Sequence, residues 1–281
     1  MTMSVTSLPL NGTGVSEVQI PQIGLGTWPL TGQESTDMVT TAIDNGYRHI
    51  DTAQKYGNED AVGRAIRAAS VPRDELFITT KLINRYFGDV ANVRAGIEHS
   101  LRETGLDYID LMLIHWPNPQ LGKYVETCAS LAELVDTGLI RAWGVSNFKP
   151  EHLQNVVDAG LDIPLNQIQI DPLAGQPDYV AANAAHGVVV GAYSPTGRDI
   201  TLSDFPVLRD AAERYGKSEH QIVLRWHVQQ GRIPVPRSSN AGRQRENLDV
   251  FDFELTDAEI AAINALDNGS RARLDADEYG H

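Results

Sequence analysis

Residues 47–59 read Tyr47-Arg48-His49-Ile50-Asp51-Thr52-Ala53-Gln54-Lys55-Tyr56-Gly57-Asn58-Glu59, and the fold turns on how this stretch is read. A short apolar strand stops at an acid. A polar turn carrying a tyrosine follows, and Asn58 stands where it can cap the next helix. Two later strands end the same way: Leu76-Phe77-Ile78-Thr79-Thr80 runs into Lys81, and Ile109-Asp110-Leu111-Met112-Leu113-Ile114 runs into His115. A strand interior has no use for an acid, a lysine and a histidine at three carboxyl ends. A catalytic site does.

Outward from this stretch, strand and helix alternate. Hydrophobic periodicity predicts strands at 23–28, 47–50, 76–80, 109–114, 139–144, 165–170, 187–192 and 232–235. Helices are predicted at 33–45, 58–69, 90–104, 123–137, 150–159, 176–186, 203–230 (in two pieces broken at Gly216), 241–248 and 256–266. Gly105, Gly138, Gly160 and Gly187 stand where helices should stop. Residues 1–20 place Asn11-Gly12-Thr13-Gly14 between two alternating segments, the pattern of a β-hairpin. No Pro/Gly/Ser-rich linker, low-complexity tract or longer repeat interrupts the rhythm, so residues 1–281 are expected to form a single domain.

Continuous βα alternation implies a parallel sheet covered by helices. A closed (β/α)8 TIM barrel with an N-terminal hairpin fits better than an open doubly wound sheet. The glycine-rich fingerprint G-x-G-x-x-G is missing, because Gly24-Leu25-Gly26 is followed by Thr27-Trp28-Pro29. In such a barrel the carboxyl ends of different strands meet at one mouth.

The 281 residues are 42% hydrophobic and 21% charged, an ordinary globular composition. A formal charge of −14 argues against nucleic-acid or anionic-membrane partners. One cysteine, Cys128, excludes an intrachain disulfide and any CxxC motif, and its helical pattern makes it a buried packing residue. The N-terminus lacks a basic flank followed by an apolar run, and no stretch approaches the roughly 20 apolar residues of a membrane span. A cytoplasmic monomer acting on a small molecule is expected. The remaining histidines lack metal-ligand spacing, so no metal is predicted.

Asp51, Lys81, His115 and Tyr56 together suggest proton transfer through a tuned phenol. A free tyrosine has a pKa of about 10. An ammonium about 4 Å away stabilises phenolate by up to about 4 kcal/mol at an effective dielectric of about 20, enough to lower that value by two to three units or so. Aspartate would keep the lysine charged and aimed, and histidine would donate to a substrate oxygen. No serine or cysteine nucleophile stands beside them, so the attacking species is not among the side chains, and a hydride donor such as a nicotinamide is the natural missing part.

The motifs carry a family resemblance. Gly-Leu-Gly-Thr-Trp at 24–28, His-Ile-Asp-Thr-Ala at 49–53, Tyr56-Gly57-Asn58-Glu59, Thr80-Lys81 and Leu-Ile-His-Trp-Pro at 113–117 resemble the aldo-keto reductases. So do Gly144-Val145-Ser146-Asn147-Phe148, Asn166-Gln167, Ala192-Tyr193-Ser194-Pro195 and Pro236-Arg237-Ser238-Ser239-Asn240. Within that family the chain is most similar to the bacterial 2,5-diketo-D-gluconate reductase-like branch. The resemblance implies NADPH-dependent, reversible reduction of aldehydes and ketones. Tyr56 would be the general acid, Lys81 and Asp51 would tune it, and His115 would orient the carbonyl.

The resemblance also places the nicotinamide carboxamide at Ser146, Asn147 and Gln167, with Tyr193 under the ring. Cofactor contacts extend to Thr27, Trp28 and Ser194. Locally, amide and hydroxyl groups supply the donors and acceptors a carboxamide needs. Arg237-Ser238-Ser239-Asn240-Ala241-Gly242-Arg243-Gln244-Arg245-Glu246-Asn247 is a basic island opening a short helix, with Asn240 as its N-cap. Arginine suits the 2′-phosphate of NADP. The resemblance assigns Arg237, Ser238 and Arg243 to that phosphate, Ser239 beside them, Glu246 and Asn247 to the adenine, and Arg271 to the cofactor. Many relatives carry lysine in place of Arg237, which leaves NADH use open.

Trp28, Trp116 and Tyr56 are expected to form an aromatic rim for the carbonyl compound. Three departures from the family pattern stand out: Ile83 and Cys128 where tryptophan is frequent, and Asp171 where histidine is frequent. Ile83 is expected in the pocket wall, and the other two in packing. With a short tail at 268–281, an open and permissive site is expected, and Arg85 and Arg198 would draw acidic substrates to it. Two rivals predict otherwise: an NADPH-binding sensor with little turnover, and a structural protein that binds no cofactor.

Overall fold

The structure, a computed structural model, describes residues 5–269 and 274–280. It opens on the expected hairpin, β1 (Ser7–Gly12) and β2 (Val15–Pro21), paired antiparallel with Leu10 opposite Val18. The barrel strands are β3 (Leu25–Gly26), β4 (His49–Asp51), β5 (Phe77–Leu82), β6 (Ile109–Ile114), β7 (Ile140–Ser146), β8 (Leu165–Gln169), β9 (Val189–Tyr193) and β10 (Ile233–Val235). Between and after them run α1 (Gly32–Asn45), α2 (Glu59–Ala68), α3 (Val90–Thr104), α4 (Tyr124–Leu134), α5 (Pro150–Asp158) and α6 (Pro177–Ala185). Two helices, α7 (Pro206–Tyr215) and α8 (Glu219–Gln229), precede β10, and α9 (Ala241–Leu248) and α10 (Asp257–Asn264) follow it.

The eight parallel strands lie side by side in chain order from β3 to β10. The ring closes through Gly24 N–H donating to Pro234 O and Gly26 N–H to Pro236 O, both at 3.0 Å. Glycine is required at both positions. A Cβ at Gly24 would stand 2.6 Å from His49 Nδ1, and one at Gly26 would stand 3.0 Å from Val235 O. The Gly-Leu-Gly of the first strand is therefore the seam of the barrel.

Every residue of β5 and β6 is buried, as a sheet covered on both faces demands. The hairpin packs against the amino-terminal end of the barrel, where Leu10 and Ile20 are fully buried. Trp143 Nε1 donates to Thr13 O at 2.8 Å, and Thr13 N–H donates to Asp162 O at 3.0 Å. The four predicted stop glycines all take positive φ, from 64° at Gly105 to 83° at Gly160. The long helix of 203–230 breaks at Gly216 as expected, and Ser218 recaps α8 by accepting from Gln221 N–H. The predicted strand 23–28 is shorter, covering Leu25–Gly26, and the Trp28–Pro29 bond beyond it is cis. The helix expected at 123–137 ends at Leu134, and a 3-10 turn completes it to Thr137. No helix among the described residues is long and apolar enough to cross a membrane.

Asp110, on β6, is fully buried near the amino-terminal end of the barrel. Its oxygens accept from Arg73 (2.7 Å), Arg141 (2.7 Å) and Ile78 N–H (2.9 Å), tying the strand to its two neighbours. Asp110→Ala strands a buried N–H and two guanidinium groups that retain partial solvent contact. It should lower the unfolding free energy by about 2–4 kcal/mol, read from the urea midpoint.

Candidate active site

Strand register explains why the site residues face one another. In a parallel sheet, residues in register share a face, as do residues two apart on one strand. Asp51 pairs with Thr79, so Lys81 lies one pleat higher on the same face. Lys81 pairs with Leu113, which puts His115 one pleat higher again. Leu113 pairs with Gly144, two residues before Ser146; Ser146 pairs with Gln167; Gln167 pairs with Gly191, two before Tyr193. All the predicted strand-end side chains thus share one parity, and the stagger carries them to the mouth of the barrel. There they line a cleft of about 730 Å³, within the roughly 300–1,000 Å³ usual for small-molecule sites.

At the centre is a buried ion pair. Lys81 Nζ donates to Asp51 Oδ1 at 2.5 Å and to Thr52 O at 3.0 Å, with both side chains almost wholly out of solvent. The second carboxylate oxygen, Oδ2, accepts from Gln167 Nε2 at 2.7 Å. Burial alone would depress the lysine, but Asp51 and Tyr56 together outweigh it and hold Lys81 above the ordinary lysine value. The ammonium sits 5.2 Å from the centroid of the Tyr56 ring.

Tyr56 ends a single 3-10 turn, Gln54–Tyr56, after β4. Side chains on both sides fix that loop. Thr52 Oγ1 donates to Asn58 Oδ1 (2.6 Å), and Asn58 Nδ2 donates to Leu30 O (2.8 Å). Gln54 Nε2 donates to Gly96 O (2.8 Å), while Gln54 Oε1 accepts from Ile83 N–H (3.0 Å). Asn58 therefore stands at the N-cap position of α2 but makes no capping bond; its side chain locks the loop instead.

The expected lowering of the phenol's pKa does not hold as a net effect. Burial raises Tyr56 above its ordinary value, and the opposing pull of Lys81 only partly offsets this, with Asp51 adding to the rise. Tyr56 is thus a protonated phenol at neutral pH, beside a cation able to stabilise it once deprotonated. His115 stands edge-on to Tyr56, with ring centroids 5.7 Å apart.

Asn147 and Ser194 take left-handed φ values of 63° and 50°, an uncommon backbone for residues with a Cβ and one that concentrates at functional sites. Asn147 Nδ2 donates to His115 O (3.0 Å), and its Oδ1 accepts from Tyr193 OH (2.9 Å). Ser146 Oγ donates to Gln167 O at 2.8 Å. With Gln167 Nε2 committed to Asp51, the atom it offers a ligand is Oε1, an acceptor. That matches the amide N–H of a carboxamide, and the open side of Tyr193 lies on the same cleft.

The cleft runs on past Pro236 to Arg237. Asn240 caps α9 as expected, accepting from Arg243 N–H at 3.0 Å. Arg237, Ser239, Arg243 and Glu246 are exposed, whereas Ser238 and Asn247 are buried beneath them. Thr27 is buried with its hydroxyl on Asp51 O (3.0 Å), and Trp28 is 47% exposed at the rim. Arg271 lies outside the described residues.

Arg198 stands over the Trp28 ring at 4.6 Å and lines the cleft; Arg85 instead stacks on Tyr86 outside it. Ile83 does not line the cleft either, and its N–H donates to Gln54 Oε1 at 3.0 Å. Cys128 is fully buried, with its thiol pushed up by burial. Asp171 organises a turn by accepting from Leu173 N–H at 3.0 Å.

The sequence reading missed Leu274 and Tyr279, which the tail brings to the cleft. Tyr279 packs on Trp116 with centroids 4.7 Å apart. The tail is therefore part of the pocket wall, and the site is less open than its length suggested.

Comparison with known proteins shows the family. A model of the Aldo/keto reductase family matches residues 22–268. An aldo-keto reductase of Mycolicibacterium smegmatis is 44% identical over 253 residues, covering 90% of this chain and 91% of that protein. The methylglyoxal reductase DkgA of Escherichia coli K12 is 43% identical over 263 residues, 93% of this chain and 94% of that protein. Among solved structures, an aldo/keto reductase from Brucella melitensis superposes with a TM-score of 0.89 at 38% identity, covering 95% of this chain and all of the other. A Bombyx mori aldo-keto reductase in complex with NADP gives 0.87 at 37% identity, covering 95% and 94%.

His49, two residues before Asp51, is fully buried with its Nε2 3.0 Å from Thr79 Oγ1. Burial, resisted in part by Asp51, lowers its pKa to about 4. Between pH 6.5 and 4 the unfolded chain binds a proton here that the folded chain refuses, so stability falls as pH falls through that window. The contribution is about 3 kcal/mol. His49→Gln should make the pH dependence of unfolding shallower by about one proton over this range, read from urea titrations at successive pH values.

Proposed function

The chain belongs to the aldo/keto reductase family, and from that premise we propose that it is an NADPH-dependent reductase of aldehydes and ketones, working as one barrel domain. The observation that carries the reading is Tyr56 held against the buried Lys81–Asp51 pair, at a cleft that also holds His115. NADPH, when bound, supplies the hydride that reaches the carbonyl carbon.

The residues of the chain do the rest. His115 holds the carbonyl oxygen beside Tyr56. Tyr56 gives that oxygen its phenolic proton as negative charge develops there. The phenolate left behind is stabilised by Lys81, whose charge and aim are kept by Asp51, and solvent in the cleft restores the proton. In alcohol oxidation the same groups run in reverse.

The residues present fit the cofactor. Gln167 Oε1, Ser146 and Asn147 would meet the carboxamide, and Tyr193 would offer its face to the ring. Thr27, Trp28 and Ser194 flank the passage outward. The positive end of α9, with Arg237 and Arg243 exposed beside it, suits a phosphate. The small carbonyl compounds named for relatives such as methylglyoxal reductase DkgA make short aldehydes the first substrates to test.

Tyr56→Phe removes the proton and little else. kcat/KM for an aldehyde should fall by about 10²–10⁴, while the Kd for NADPH, from fluorescence quenching, stays within about threefold. A near wild-type rate in that variant overturns the assignment. If the chain were a sensor, the wild-type protein would oxidise bound NADPH once and stall. Arg237→Gln should weaken NADPH about tenfold or more while leaving NADH nearly unchanged, because only NADPH carries the 2′-phosphate. Equal losses for both would show that Arg237 does not read that phosphate.

A further inference from the structure

The tail reaches the cleft from an ionic anchorage outside it. Lys149, the residue before α5, pairs through its ammonium with both Asp275 and Asp277. His152, in the first turn of α5 and 4% exposed at its side chain, holds Asp277 from the other side, Nε2 to Oδ1 at 3.0 Å. The tautomer follows from the bonds. Nδ1 accepts from Lys149 N–H at 3.2 Å, so the ring proton is on Nε2 and is donated to Asp277.

The anchored segment is then wound tightly. Asp277 N–H donates to Asp275 Oδ1 (2.9 Å), and Tyr279 N–H to Asp275 O (2.7 Å). Ala276, between the two aspartates, is 4% exposed, while Leu274 and Tyr279 on either side face the cleft. Glu151, His152 and Asp277 lie close enough together to resemble a metal site. The Lys149 ammonium already occupies the charge of Asp277, and the site is better read as a clasp.

We propose that Lys149 is a positioning residue for the carbonyl pocket. Through Asp275 and Asp277 it fixes the seat of the tail, and hence the aromatic wall that Tyr279 presents against Trp116. That wall is outside the Asp51, Lys81, Tyr56 and His115 cluster. A two- or three-carbon aldehyde held at Tyr56 and His115 does not depend on it. An aromatic aldehyde, longer and flat, packs against it. The clasp therefore sets which carbonyl compounds are accepted without taking part in proton transfer. This rests on the reductase reading above.

The test compares wild type, Lys149→Met, Lys149→Arg, Tyr279→Ala and the Lys149→Met/Tyr279→Ala double variant, using propanal and benzaldehyde with saturating NADPH. Lys149→Met should raise KM for benzaldehyde about fivefold, equivalent to about 1 kcal/mol, with KM and kcat for propanal within about twofold. Lys149→Arg should restore the wild-type profile. In the Tyr279→Ala background Lys149→Met should add nothing, because the clasp acts through that ring. Amide hydrogen exchange reads the seat without substrate: Asp277 and Tyr279 amides should exchange faster in Lys149→Met and not in Lys149→Arg.

An unchanged benzaldehyde KM, an additive loss in the double variant, or unaltered exchange overturns the proposal. A wild-type chain that reduces neither aldehyde overturns the reductase reading and with it the role in selectivity. The exchange experiment then still decides whether Lys149 seats the tail.

Discussion

The site depends on one buried contact, the 2.5 Å ion pair between Lys81 Nζ and Asp51 Oδ1. Removing two charges from water costs several kcal/mol for each ion, and their attraction repays that only when the geometry is good and the other donors and acceptors are filled. Both conditions hold. Lys81 also donates to Thr52 O, and Asp51 also accepts from Gln167, so neither ion has to carry its burial on one bond. A pair of apolar side chains would pack there at lower cost. What the pair gives instead is a cation in a water-poor site, next to a phenol, with its position fixed by two adjacent strands.

The sign of the Tyr56 shift follows from the same balance. Burial disfavours phenolate more than Lys81 favours it, so the resting phenol keeps its proton. An acid that must deliver a proton is in the right state before the reaction begins. In the proposed reaction Lys81 matters at the next moment, when phenolate has formed and charge must be held until solvent replaces the proton. The lysine is therefore better described as limiting the cost of deprotonation than as making the resting tyrosine a strong acid. Gln167 links this pair to Ser146, whose hydroxyl donates to Gln167 O, and one carboxylate orients both Lys81 and Gln167.

Much of this was legible in the chain because it is local. A strand that ends on a charge shows in the sequence, and three of them at Asp51, Lys81 and His115 already imply a common mouth once βα alternation implies a barrel. The break at Gly216 and the Asn240 cap were readable from residue type and spacing, whereas the seam role of Gly24 and Gly26 came only with the closed ring. What was not legible depends on distant partners. Asn58 has the residue type of a helix cap, but Thr52 and Leu30 claim its side chain. Ile83 is adjacent to Lys81 in the motif yet turns its backbone to Gln54 and stays out of the cleft. The net shift of Tyr56 depends on how completely the fold encloses it, which no motif states. The tail carried the alternation Asp275-Ala276-Asp277, but its partners Lys149 and His152 lie more than a hundred residues earlier and belong to no recognisable motif.

The most direct measurement of the central claim is the titration of the Tyr56 phenol itself. It can be followed by NMR of protein carrying 13C-labelled tyrosine ring carbons, with Tyr56→Phe identifying the signal, in the wild-type chain and in Lys81→Met. The expected result is a phenol that titrates above the ordinary value of about 10 in the wild type and higher still in Lys81→Met, where the cation that offsets burial is gone. A Tyr56 signal whose titration is unchanged or lowered by Lys81→Met would contradict the account, because the lysine would then have no hold on the proton the site is built to deliver.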